Sequence, residues 1–409
     1  MQQPHPGVTA PNEDSIAIFR MLGPVFFYFF VAGIATVMLG PLLPALIQHW
    51  QIQDSQAGTL FTADFLGQLC GAWIAARNLR GSLLYGSALS ALGCVTLSSL
   101  SFGNAHIALF CIGVGLGTGL TAGNIIAGTT VPSARARLLA ILNVAWGLGA
   151  IACPLLLRIT GAGGIGRFFF IVAILFVISS LFSTAIQSSR ASSDGADTTS
   201  QPTSNWQLKQ RMPLPLLPLM TFAAAMFLYV GVENSLGGWL PTYAVRTHPS
   251  LQASSVAIYF WVAELVGRLL VAVLMLLLGE PALYRLCLGL LIVIETLLCV
   301  LVHISAGGIL ALTILGGFTL APVFPLLVSF MLARTGNHKR LGPLFASASV
   351  GGAVLPWITG VCSTQFHNLR AGLVVPATGA VLLLILSGVI TAKPITSPQA
   401  DVLVADPKS

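Results

Sequence analysis

One acidic residue, Glu233, lies inside an otherwise apolar run from Met226 to Tyr243. Holding an acid at the centre of a bilayer costs at least ~2.5 kcal/mol, so such a residue points to function. Asn234 follows it at once, and Tyr229 and Gly237 stand one helical turn to either side. The carboxyl and the amide can accept and donate hydrogen bonds to a polar solute. A carboxyl in this setting can also carry a proton. The competing reading is structural, with Glu233 paired to Arg268 on the next apolar run. Gly237, Gly238 and Pro241 weaken the helix just beyond, where backbone groups can be freed toward a cavity.

Three more acids, Asp64, Glu264 and Glu295, lie within apolar runs, and Arg268 is the base clearly inside one. Glu264 and Arg268 are four residues apart, so their side chains meet on one helix face. They form either a self-neutralised pair or a gate that senses substrate charge. Trp261 puts an aromatic ring on much the same face. Asp64 lies about seven residues, roughly 10 Å, into its run. It is either a proton-coupling group or a solvated residue of the outer mouth. The proton-coupling candidates are thus Glu233, Asp64, Glu264 and Arg268. Among neutral groups, Asn124 and Asn143 offer both donor and acceptor to solute hydroxyls. Helix-to-helix hydrogen bonding is their structural alternative. Trp146, Trp239 and Trp357 can stack on a ring face or pack as an interfacial belt. Trp357, beside Pro356 and mid-run, suits stacking best; Trp239 lies nearer the outer surface.

Several other chemistries are excluded. Glycines 113, 115, 117, 119 and 123 sit in an apolar run with no strand before them, so they are no dinucleotide loop. They suit close helix packing. There is no Walker A sequence, no HExxH and no G-x-S-x-G. The seven cysteines show no metal-ligand spacing. The residues therefore predict no enzyme, no metal and no bound cofactor. The net charge of +7 sits in short loops, not in a basic stripe with interleaved aromatics, which argues against nucleic acid.

The elements that position these residues are membrane spans. The 409 residues are 56% hydrophobic and 8% charged, against about one-quarter charged in soluble proteins. Mean hydropathy is +0.89. Twelve apolar runs reach spanning length: 21–49, 57–79, 81–102, 104–131, 135–159, 165–186, 213–245, 251–278, 281–303, 305–335, 340–365 and 369–392. This predicts an all-α membrane protein of two six-helix bundles, 21–186 and 213–392. A polar linker, 187–212, joins them, with tails at 1–20 and 393–409. Glu13 and Asp14 precede a first run too long for a cleavable signal. With both termini in the cytoplasm, fourteen Lys and Arg fall on the inner side and four on the outer. The halves also repeat weakly. Gly33-x6-Gly40 ahead of Pro44 matches Gly231-x6-Gly238 ahead of Pro241. Gly147, Gly149 and Pro154 match Gly351, Gly352 and Pro356 at the same offset of six spans.

The span count, linker and repeats resemble the major facilitator superfamily over about residues 20 to 392. Within it, the segments Tyr229–Pro241, Gly267-Arg268, Gly317–Pro325 and Gly351–Trp357 are similar to the fucose–galactose–glucose symporter group of sugar permeases. The resemblance implies a secondary transporter of a small neutral polar solute, most simply a monosaccharide. It would work by alternating access, with proton-coupled uptake favoured over sodium. It implies a cavity lined by spans one, four, seven and ten, and a sugar contact in span five, which favours Asn143. It places span nine outside the cavity, so Glu295 reads as structural or as snorkelling to lipid. A monomer in a plasma membrane of the bacterial inner type follows, with the bilayer and the solute as its partners. A drug efflux carrier and a non-transporting sensor are the alternatives. Two departures stand out. The signature between spans two and three keeps Gly71, Arg77, Arg80 and Gly81 but has Ala75 in place of its acid. Span one has no acid, and span four offers only Asn124.

Overall fold

A computed structural model describes residues 13–75, 79–99, 101–130, 135–161, 164–191, 216–335 and 341–392. The tail after 393 and most of the linker 187–212 lie outside these residues, as does the start of the N-terminal tail. Among the described residues there are fourteen helices: α1 Glu13–Val37, α2 Leu39–Trp50, α3 Asp54–Ala75, α4 Leu79–Ser98, α5 Phe102–Thr130, α6 Arg135–Thr160 and α7 Ile165–Ala191, then α8 Leu216–Thr247, α9 Ala253–Leu278, α10 Glu280–Val300, α11 Ala306–Leu320, α12 Val323–Thr335, α13 Leu341–Gln365 and α14 Leu369–Ile390. No strand occurs among the described residues.

These helices make twelve spans. α1 and α2 are one span bent by 40°. Pro41 has no N–H to offer the carbonyl of Val37, so the helical ladder breaks there. α11 and α12 are one span broken at Pro322 for the same reason. Ten stretches are long and apolar enough to cross a membrane, and the bent pair makes eleven. The twelfth, α3, has 22 residues but carries Asp64 and Gln68, which lower its hydropathy. α1 starts at Glu13, ahead of the apolar run.

The internal repeat is visible as packing. α1 lies on α6, and α8 lies on α13. A Cβ on Gly33 would stand 2.0 Å from the carbonyl oxygen of Trp146, and one on Gly149 would stand 1.9 Å from that of Phe30. In the second half, a Cβ on Gly351 would stand 1.9 Å from the carbonyl oxygen of Phe227. One on Gly231 would meet Leu355 at 2.6 Å. The glycines matched in sequence thus occupy matched helix crossings. Between the halves, α3 packs on α13, α2 on α8 and α9, and α6 on α9.

The crossings yield a stability prediction. Gly351→Ala should lower the melting temperature in detergent, because overpacking costs ~1–3 kcal/mol. Gly289→Ala, with no atom within 4 Å of its added Cβ, should leave melting unchanged or raise it. Equal melting of the two variants would contradict the packing role.

Candidate functional site

The Glu233 run folds as a continuous helix. α8 passes through Gly237, Gly238 and Pro241 without interruption. The helix is not broken there, although Pro241 leaves the Gly237 carbonyl without its N–H donor. The glycines serve close approach across the halves instead. A Cβ on Gly40 of α2 would come within 2.3 Å of the Gly237 carbonyl oxygen. One on Gly238 would come within 2.6 Å of the Phe61 ring on α3.

Glu233 is buried, and it is paired. Its Oε1 accepts hydrogen bonds from the Tyr229 hydroxyl at 2.7 Å and from Arg268 Nη2 at 2.9 Å. The same Nη2 donates to Glu264 Oε1 one turn back on α9. One guanidinium therefore serves two carboxylates on two helices. Glu264 is 1% exposed, and the Arg268 side chain is 19% exposed. In an apolar interior no carboxylate is stable without such partners. Both Glu264 with Arg268 and Glu233 with Arg268 form, so the two structural pairings read from sequence coexist.

The other half contributes Trp146, on α6. Its ring lies 5.4 Å from Arg268 Cζ, within cation–π range. It also meets Trp261 of α9 edge to face, with ring centroids 5.8 Å apart. Phe324 of α12 packs against the Tyr229 ring at 5.4 Å. Two buried donors in this cluster have no protein acceptor: Arg268 Nε and Trp261 Nε1. The site thus joins Glu233, Tyr229, Glu264, Arg268 and Trp146 from the sequence-derived set. Trp261 as a polar contributor and Phe324 were not foreseen; neither carries a charge that marks it within an apolar run.

The remaining candidates lie elsewhere. Asn234 is half-buried and donates to the Val230 carbonyl of its own helix at 2.8 Å. Asn143 and Asn124 are exposed, and each donates to the carbonyl four residues back. Asn143 stands one turn from Trp146 on α6. Trp357 is 40% exposed, and its backbone, not its ring, abuts Gly58 of α3. It does not join the charged cluster. Trp239 is fully buried and donates to the Pro356 carbonyl at 2.9 Å, which ties α8 to α13.

Two acids need correction. Asp64 is 3% exposed, so it is no solvated mouth residue; Gln68 Nε2 donates to its Oδ2 at 2.9 Å while Oδ1 has no partner. Glu295 is 1% exposed with neither oxygen partnered, so it does not snorkel to an interface. It sits on the buried face of α10 with Leu291 and Leu298. Among the described residues, no group of three or more His, Cys, Asp or Glu is placed to hold a metal ion.

The sequence that builds these crossings and this charge cluster matches a known family profile. That of the Major Facilitator Superfamily covers residues 25–341. The chain belongs to the major facilitator superfamily. Members of this superfamily are transporters, and this chain is not an enzyme. It is 26% identical to the glucose/mannose transporter GlcP of Bacillus subtilis over 353 residues, 81% of this chain and 85% of that one. It is 24% identical to the Bypass of stop codon protein 6 of Saccharomyces cerevisiae over 274 residues, 59% of this chain but only 54% of that protein. Among solved structures, the fold resembles a D-xylose-proton symporter with a TM-score of 0.71 at 14% identity, covering 90% and 97% of the two chains. It resembles the nucleoside transporter NupG with a TM-score of 0.70 at 10% identity, covering 91% and 100%. The outward conformation of FucP gives 0.58 at 16% identity, covering 91% and 99%.

The superfamily member's charge cluster can be tested through stability. Arg268→Met leaves two buried carboxyls without a cation, and breaking a buried pair costs about 3–5 kcal/mol. The melting temperature should fall sharply. Adding Glu233→Gln and Glu264→Gln to Arg268→Met should recover much of the loss. Unaltered melting of the single variant would contradict the shared pairing.

Proposed function

We propose that this superfamily member is a secondary transporter of a small neutral polar solute, a monosaccharide, coupled to protons. The carrying observation is the cluster itself. Two acids share one base, so a single added proton makes the group electrically neutral. Arg268 Nε and Trp261 Nε1 are buried donors without protein acceptors, and they suit the hydroxyl oxygens of a sugar. The Trp146 ring from the opposite half can stack on a sugar face. The names of two relatives agree with this reading: one is a glucose/mannose transporter, the other a D-xylose-proton symporter.

In this reading the bundles 21–186 and 213–392 rock about the cluster, with the linker 187–212 between them. The protein works as a monomer in a plasma membrane of the bacterial inner type, with both termini cytoplasmic. The end near Asp54 is then the outer end. Asn143 and Asn124, exposed on the opposite halves of their helices, then flank an opening to the cytoplasm. Proton in place of sodium is supported by the two acids that share one guanidinium.

Counterflow in proteoliposomes with a panel of monosaccharides and nucleosides tests the substrate class. At least one monosaccharide should compete; competition by nucleosides alone would contradict the assignment. Glu233→Gln should abolish proton-driven accumulation and spare exchange. Full accumulation by this variant would show that Glu233 does not carry the proton.

A further inference from the structure

Away from the charge cluster, one group of contacts ties the halves together at the Asp54 end. Asp54 opens α3 in the first half, and Arg246 lies in the last turn of α8 in the second. Arg246 Nη1 donates to Asp54 Oδ2 at 2.7 Å, and Nη2 donates to Oδ1 at 2.6 Å. This is a two-point, charge-assisted pair, the strong geometry for guanidinium and carboxylate. Ser363 of α13 donates to the same Oδ2 at 2.5 Å. Beside it the Ser55 N–H donates to Thr364 Oγ1 at 2.8 Å. On the far flank, Arg158 of α6 donates to Ser254 Oγ at 3.2 Å and to Ser255 Oγ of α9. Asp54 itself is 8% exposed, although Arg246 faces a basin of about 760 Å³.

The opposite end carries a different message in its sequence. The acid of the superfamily signature between spans two and three is replaced by Ala75, which is fully buried. A methyl group cannot hold a basic partner across the bundles.

We infer that Asp54, Arg246 and Ser363 form the latch that sets this carrier's resting state. It holds the Asp54 end shut and leaves the end near Asn143 favoured as the open one. The inference rests on the alternating-access reading. Parting the bundles at this end separates α3 from α8 and α13, so it must break all three Asp54 bonds together. The carboxylate would then lose both its cation and its hydroxyl donor. At the other end, Ala75 offers no charge to resist parting. Position 57 reports on the latch. Ala57 is fully buried one turn beyond Asp54, on the flank of α3 that carries Phe61 toward Trp239 of α8.

The test is cysteine labelling by a membrane-impermeant maleimide, in full-length protein freed of its native cysteines. Ala57→Cys reports the Asp54 end, and Asn143→Cys reports the other in vesicles of inverted orientation. In the parent, Ala57→Cys should react slowly and Asn143→Cys quickly. Adding Asp54→Asn, or separately Arg246→Gln, should raise the first rate roughly tenfold, the factor that about 1.4 kcal/mol produces. The second rate should fall. That opposed change distinguishes a shifted equilibrium from general loosening, which raises both rates. An unchanged Ala57→Cys rate in either variant, or a rise at both positions, overturns the latch. Neither readout needs transported solute, so a failed latch and a failed sugar assignment are separately visible.

Discussion

A positive charge in an apolar interior must be matched, and the structure depends on how Arg268 is matched. Its guanidinium cannot be neutralised by deprotonation as a lysine can. It is held by Glu264 on its own helix and Glu233 on the neighbouring one. That pairing fixes the rotation of α8 against α9. It also orients the Tyr229 hydroxyl, which donates to the same Glu233 oxygen. The remaining open face of the guanidinium is covered by Trp146 from the other half. One buried cation thus links two helices of one bundle and touches the second bundle. The geometry of this site therefore depends on the arrangement of the halves.

The frame around that cation obeys a second constraint, close approach of backbones. Without a hydrophobic driving force in lipid, helices associate by packing small residues. The crossings of α1 on α6 and of α8 on α13 are made by glycines whose added Cβ would collide with a carbonyl. The same device, through Gly40 and Gly238, brings the two halves together at the Asp54 end. These contacts are short-range, so the halves can part there only by losing them together. The charged contacts at Asp54 and the packed glycines therefore act at the same place.

The spans and the charged residues were legible in the sequence, because both follow from local composition. An apolar run of about 20 residues announces a helix. Glu233, Glu264 and Arg268 stand out because each is costly where it sits. The repeat of Gly33 and Gly231 likewise showed which helices correspond. What was hidden depends on rotation and contact between helices. Sequence could not settle whether Glu233 meets Arg268 or faces only a solute. It left Asp64 between a coupling group and a solvated mouth residue, and Glu295 between a structural and a snorkelling role; burial of both removes the second reading in each case. Gly237 and Gly238 read as a helix break because a glycine pair looks alike whether it bends a helix or admits a neighbour. Trp357 looked central from its position along the span but is 40% exposed and does not join the cluster. Asp54 and Arg246 are 192 residues apart at the ends of different runs, so no local spacing signals their pairing.

In the proposed carrier, the acids around Arg268 exchange a proton when the solute binds. That exchange is read on binding with a pH indicator in weakly buffered detergent solution, as a solute that competes in counterflow is titrated in. The account predicts a change approaching about one proton per bound solute, because two carboxyls share one guanidinium and a single proton makes the group neutral. It predicts no such change in Glu233→Gln. Solute binding without any proton exchange in the parent protein would contradict it.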